Sequence, residues 1–307
     1  MISFDAILAA LVPVFVLILL GHLMRRGGFP GDAFWAPAER LTYFVLFPAL
    51  LVSNLAEAPL ATVPIGPLAL VLAASVLLVT TLLLALRRWL AEDGPAFTSV
   101  VQGGIRFNTY VGLAASEALF GAQGLTLAAV VIAVLVPLVN VLCVTVLSRH
   151  GSGAVPGWGA VLRGLASNPL ILACLAGIAL NLGGFGLPFG SGDVLGILAR
   201  AALPLGLLAV GAGLDAQAVR GRHGMVAVVV AVKLLGMPLV MAGAARLAQL
   251  PPAETAVAVL FAALPTAPSA YILARQMGGD ARLVAGMLTL QTVAAVVTLP
   301  LIIAWLA

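Results

Sequence analysis

The sequence predicts an all-helical membrane protein of ten transmembrane helices, built as two inverted five-helix repeats whose fourth and ninth helices are broken and cross. Three observations carry that prediction. Of the 307 residues, 63% are hydrophobic and 8% are charged, where soluble domains hold about 45–50% apolar and about 25% charged residues. The apolar residues form runs of bilayer-spanning length, and short segments of the first half return in the second at a nearly constant offset. A water-soluble fold is excluded.

At about 20 residues per span and about 10 per connector, the chain has room for about ten spans. The apolar runs place them at 5–24, 36–56, 65–86, 97–121, 124–147, 164–182, 194–214, 225–247, 253–275 and 282–305. The first run carries Asp5 ahead of it and reaches Arg25 and Arg26 only at its end, so it reads as a retained helix rather than a signal peptide. The polar stretch from Ser148 to Ala160, rich in Gly, Ser and Pro, separates the halves. It gives a first repeat at 1–147, a cytoplasmic connector at 148–163 and a second repeat at 164–307.

The formal charge of +4 comes from basic residues scattered one or two at a time, with no basic stripe, so no nucleic-acid partner is expected. With the N-terminus outside, the cytoplasmic loops of a plasma (inner) membrane protein receive Arg25, Arg26, Arg40, Arg87, Arg88, Arg149, Arg163, Arg220, Arg222, Arg275 and Arg282, and the outside only Arg200 and Arg246. Both termini are therefore expected outside the cytoplasm. Cys143 and Cys174 sit within apolar runs without a CxxC spacing, and His22, His150 and His223 lie near arginines, far from any HExxH pattern. No metal and no cofactor are expected. No P-loop is present, and no Ser/His or two-acid pair shares one depth, so neither ATP use nor catalysis is indicated.

The repeat is read from order and spacing. Ala10-Leu11-Val12-Pro13 through Gly21 aligns with Ala166-Ser167-Asn168-Pro169 through Gly177, and Pro48-Ala49-Leu50-Leu51 with Pro204-Leu205-Gly206-Leu207, both at a shift of 156. A shift of 157 aligns Phe120-Gly121 with Met277-Gly278. An odd number of spans per copy inverts the second copy, and such folds place the site where corresponding helices break near the midplane.

Span four is the least apolar, with Gln102-Gly103-Gly104-Ile105-Arg106-Phe107-Asn108-Thr109-Tyr110 and then Ser116-Glu117; span nine carries Leu264-Pro265-Thr266-Ala267-Pro268-Ser269. The 157 shift pairs Asn108 with Pro265 and Thr109 with Thr266, each about 11 residues and so roughly 16 Å into its span. Pro265 and Pro268 lack N–H donors and clash with the preceding turn, which frees carbonyls that are tolerated only beside a cavity or within protein. Asn108, Thr109, Pro265 and Thr266 are thus the candidate substrate-binding residues, with the positive ends of the second half-helices turned towards an anion. The competing reading is a proline kink satisfied by nearby hydroxyls; the matched depth favours a site.

Other intramembrane polar groups carry two readings each. Glu117 is a candidate for proton coupling or an interfacial carboxylate. Arg106 and Lys233, the sole lysine, either attract an anion or snorkel to headgroups. Ser53 and Asn54 follow a break expected at Pro48 and either face the crossing or bond between helices, as Asn140 and Gln291 are expected to do.

The stretches Pro48-Ala49-Leu50-Leu51, Asn108-Thr109-Tyr110-Val111-Gly112 and Leu264-Pro265-Thr266-Ala267-Pro268, with Gly278 and the apolar span after it, resemble the auxin efflux carrier family of permeases over nearly the whole chain. The resemblance implies a scaffold bundle, a transport bundle holding the crossed helices, and elevator-like movement of organic anions such as indole acetate or malonate. Plant-type members carry proline where this chain has Phe107, and a long central loop where this chain has about a dozen residues. Unwinding at the first break then rests on Gly103, Gly104 and Asn108.

The expected function is a secondary-active or uniport carrier of a small organic anion, with the bilayer as its other partner and a homodimer admissible. A sodium- or proton-coupled symporter or antiporter, of the related bile-acid-symporter or cation-antiporter architecture, is the nearest rival and calls for acids at the crossing, where the sequence has none. An intramembrane enzyme or sensor is the rival from another class.

Overall fold

The computed structural model describes residues 3–153, 157–187, 190–215, 218 and 223–306. Among these, all regular structure is helical. The elements are α1 (Phe4–Arg26), α2 (Asp32–Leu41), α3 (Phe47–Glu57), α4 (Ile65–Ala85), α5 (Arg87–Leu90), α6 (Gly94–Ile105), α7 (Thr109–His150) and α8 (Trp158–Ala166). They continue with α9 (Pro169–Leu182), α10 (Ser191–Ala212), α11 (His223–Ala231), α12 (Met237–Leu247), α13 (Pro252–Ala262), α14 (Ser269–Met277) and α15 (Ala281–Leu306). Six helical stretches are long and apolar enough to cross a membrane, and a seventh if α8 and α9, bent by 53°, form one span. The chain is an all-α membrane protein.

Local chemistry sets where the helices begin. Ser3, Asp93, Asn108 and Asn168 stand at N-caps with their side-chain oxygens accepting from the first free amides of α1, α6, α7 and α9. α7 is a 42-residue element kinked at Gly121, whose φ of 58° belongs to the left-handed region that glycine enters without steric cost. Among the described residues α7 ends at His150 and α8 starts at Trp158.

The break expected at Pro48 is not there. α2 passes into α3 through a π-helical turn at Thr42–Leu46, and α11 passes into α12 through another at Val232–Gly236. Each turn stops one residue before a proline pair, Phe47-Pro48 or Met237-Pro238. A proline removes one N–H and crowds the carbonyl four residues back; widening the preceding turn to i→i+5 bonding relieves that clash without interrupting the helix.

Packing relies on glycine, as lipid-embedded helices do when van der Waals contact rather than hydrophobic burial holds them together. α1 and α10 approach so closely that a Cβ on Gly21 would collide with the Leu208 backbone, and one on Gly211 with the Ile18 backbone. Gly177 of α9 sits against Leu55 and Val52 of α3. Asn181 of α9 donates through Nδ2 to the carbonyls of Leu55, Ala56 and Ala58 at 3.1, 3.2 and 2.7 Å, closing the C-terminal end of α3.

One further tie holds the polar end of the second half to the first. Ser152 N–H donates to the Gly278 carbonyl at 3.0 Å, Asp280 N–H to Pro95 at 3.2 Å, and Ser99 Oγ to the Asp280 carbonyl at 3.0 Å. The α14–α15 turn is thereby fixed to the start of α6 and the end of α7.

Candidate functional site at the helix crossing

α6 stops at Ile105, residues 106–108 are extended, and α7 restarts at Thr109. α13 stops at Ala262 and α14 restarts at Ser269. The two gaps meet: Asn108 N–H donates to the Pro265 carbonyl at 2.8 Å. Around that contact the freed backbone groups are satisfied by side chains. Thr266 N–H donates to Gln291 Oε1 at 2.8 Å, while Thr266 Oγ1 and Gln291 Nε2 both donate to the Gly103 carbonyl, at 2.9 and 3.0 Å. A Cβ on Gly103 would come within 2.7 Å of Met287 Sδ and 2.8 Å of Val229 Cγ1, so a larger residue there would displace those side chains.

Asn108 caps α7 through Oδ1, which accepts from Tyr110 N–H at 3.1 Å and Val111 N–H at 3.4 Å. Because those two donors require the oxygen, the amide orientation is fixed and Nδ2 is left as a donor. Nδ2 is buried and has no hydrogen-bond partner among the described residues. The same holds for Nη1 of Arg106, whose Nη2 donates to Ser269 Oγ at 3.0 Å.

These groups border a cavity of about 580 Å³, within the range of about 300–1,000 Å³ usual for small-molecule sites. Its walls include Arg106, Asn108 and Thr109 from the first gap and Ala267, Pro268 and Ser269 from the second. Glu39, Arg40 and Tyr43 come from α2 and its π turn, Asn140 from α7, and Asn168 from the cap of α9; Val136, Val139, Leu170 and Ile272 supply apolar surface. Two helix N-termini, of α7 and α14, open at this cavity, and both present positive dipole ends. A second cavity, of about 800 Å³, adjoins it through Glu39, Pro268 and Ile272 and holds His22, Arg25 and Arg26.

The structure brings Asn108, Thr109 and Arg106 to the cavity wall, with Pro265 and Thr266 buried behind it at the crossing. Arg106 is 8% exposed and turned inward, so it does not snorkel. Lys233 does not snorkel either: it is 1% exposed and its Nζ donates to the Ala262 carbonyl at 3.0 Å. Lys233 is not on the cavity wall, and three more expected residues stand apart from it. Ser53 Oγ bonds back to its own helix at Leu50, Asn54 Oδ1 accepts from Thr126 at 3.1 Å, and Glu117 is exposed.

Sequence reasoning passed over Glu39, Tyr43 and Asn168. Asn168-Pro169 is a cap signature and could have been found by the same logic that found Asn108. Asn140 was expected between helices and instead lines the cavity, whereas Gln291 does hold helices together. Nothing in the local sequence distinguishes Glu39 from a carboxylate at a helix start. Among the described residues no cluster of His, Cys, Asp and Glu is disposed to hold a metal.

Comparison with known proteins finds transporters. Residues 158–303 match the family described as "Membrane transport protein". Over 296 residues, 94% of both chains, the sequence is 28% identical to an "Uncharacterized transporter" of Methanothermobacter thermautotrophicus. Over 276 residues it is also 28% identical to a "Putative malonate transporter" of Rhizobium meliloti, covering 87% of this chain and 85% of that one. The protein is by class a multi-pass membrane transporter. Its second half matches that membrane-transport family model, and over most of its length the chain is similar to proteins named as transporters.

Proposed function

We propose that the protein is a secondary-active or uniport carrier of small organic anions, carboxylates of the malonate or auxin-like kind, and that the crossing cavity is its binding site. One observation carries the reading: two buried donors without partners, Arg106 Nη1 and Asn108 Nδ2, stand on a cavity into which two helix N-termini open. Positive dipole ends, a guanidinium and an amide N–H make a carboxylate-binding set. The malonate named for the Rhizobium meliloti relative fits that donor set.

Ten crossings account for the helices. The 57-residue stretch Gly94–His150 would be about 86 Å long if straight, nearly three bilayer cores, so the Gly121 kink divides it into two spans. α2 with α3, α8 with α9, and α13 with α14 each supply one more. The ends of α6 and α13, Ile105 and Ala262, lie 262 − 105 = 157 positions apart, the offset of the sequence repeat, which supports two inverted five-helix units and an elevator-type exchange of the site between faces. By the distribution of arginines, both termini lie outside the cytoplasm of the plasma membrane, and the cavity with His22, Arg25 and Arg26 is the cytoplasmic approach. The carboxylate Glu39 on the cavity wall is the feature a cation-coupled rival would use.

The test is uptake of labelled mono- and dicarboxylates into proteoliposomes, with Arg106→Ala beside the wild type. Uptake of at least one acid, cut about tenfold or more by the substitution, is expected; no uptake of any acid, or full activity in Arg106→Ala, overturns the reading.

A further inference from the structure

Lys233 is the only lysine of the chain and lies in the π turn between α11 and α12, 1% exposed. An ammonium at that depth is costly unless its charge is met. What meets it is a carbonyl at a helix end: Nζ donates to the oxygen of Ala262, the last residue of α13. α13 cannot continue, because Pro265 follows three residues later, and the unpaired carbonyls at a C-terminal helix end form the negative pole of the dipole. Unwound carbonyls and half-helix C-terminal ends are the oxygens on which secondary transporters hold coupling cations.

The lysine is also anchored close to the crossing. Its helix packs on α6 through Val229 and Val232, which abut Gly103 and Gly104, and the Gly103 carbonyl is the one that receives Thr266 and Gln291. At the matching end of α6 the 157 shift aligns Lys233 with Val76, and the cation there is Arg106, directly after Ile105. The Arg106 guanidinium instead reaches across to Ser269 at the start of α14, so of the two broken helices it is α13 whose C-terminal carbonyl receives a side-chain ammonium.

We propose that the Lys233 ammonium is a resident cation at the crossing, standing in the place of a coupling alkali ion. The carrier then needs no such ion, and shortening the side chain opens a site for one. The first consequence rests on the transport reading above; the second does not.

Two measurements on the full-length protein separate them. In proteoliposomes, wild-type uptake is the same in sodium, lithium and N-methylglucamine media of equal ionic strength. Lys233→Ala loses about tenfold or more in N-methylglucamine and regains most of it in sodium or lithium, whereas Lys233→Met, which fills the space without charge, stays inactive in all three. In detergent, the Tm of Lys233→Ala rises with sodium concentration above the N-methylglucamine control, and that of the wild type does not.

Wild-type uptake that requires sodium, Lys233→Ala activity equal to wild type in N-methylglucamine, or a Lys233→Ala protein whose Tm ignores the alkali ion each overturns the proposal. So does a variant that folds in neither medium. If the wild type carries no acid at all while the Tm results are as expected, the transport reading alone fails.

Discussion

The amide of Asn108 donates to the carbonyl of Pro265 at 2.8 Å, so two residues 157 apart in sequence, in the breaks of two separate helices, are joined backbone to backbone. This single bond satisfies one freed donor and one freed acceptor between two buried residues, where each unpaired group would cost up to several kcal/mol. It also fixes the position of the Asn108 side chain, which caps α7 with its oxygen and turns its amide N–H groups free.

Cap and donor can be separated by substitution. Asn108→Ala removes both and is expected to lower stability by about 1 kcal/mol and to abolish uptake. Asn108→Asp keeps a capping oxygen but replaces the donor by negative charge; its Tm should stay near that of the wild type while uptake is lost. Uptake by Asn108→Asp at the wild-type rate would falsify the assignment of Nδ2 to the substrate.

Gln291 and Thr266 share the work of closing the crossing, but unequally. Thr266→Val leaves the Gly103 carbonyl with Gln291 Nε2 as its donor, so the loss should be about 1 kcal/mol or less. Gln291→Leu strands the Thr266 amide in a fully buried place and should cost about 1–3 kcal/mol. Thermal unfolding in detergent gives the order; Thr266→Val as the more damaging variant would contradict the geometry.

Much of this was legible in the sequence because the bilayer writes its constraints plainly. Among the described residues each apolar run is mainly helical, and the breaks at Asn108 and Pro265 were visible as polar and proline residues at matching positions in their runs. The Pro48 break was misread because sequence shows that a proline disturbs a helix but not how the disturbance is absorbed; here a π turn absorbs it. The inward turn of Arg106 and Lys233 was equally hidden. A long cationic side chain reaches lipid or protein from the same position, and only the location of Ser269 and of the Ala262 carbonyl decides between them.

The α1–α10 contact yields a stability prediction. Gly211→Leu places a side chain into the Ile18 backbone, which cannot yield as a side chain does. Overpacking costs about 1–3 kcal/mol even in adaptable cores, so Gly211→Leu should fail to give a monodisperse protein after detergent extraction. Gly196→Leu is the control in the same helix, since a Cβ there meets no heavy atom within 4 Å. Equal behaviour of the two variants would refute the close approach.

The carboxylates of Glu39 and Glu117 should behave differently. Glu39 stands on the wall of the crossing cavity with Arg40 and Arg106, and Glu117 is exposed and absent from that wall. A negative charge about 8 Å from a bound anion opposes it by about 0.5 kcal/mol in water and about 2 kcal/mol at an effective dielectric constant of 20. Glu39 also borders the adjoining cavity, which is lined by His22, Arg25, Arg26 and Asp32, and such polar surroundings place the cost towards the lower figure. Glu39→Gln should therefore lower the KM for a carboxylate substrate by about two- to tenfold, and the gain should shrink as salt screens the charge. Glu117→Gln should change neither KM nor the pH dependence of uptake. Concentration series in proteoliposomes at two pH values check both variants. A KM that rises in Glu39→Gln shows that this carboxylate holds something positive during transport, a coupling proton or cation, and returns the choice to the cation-coupled rival.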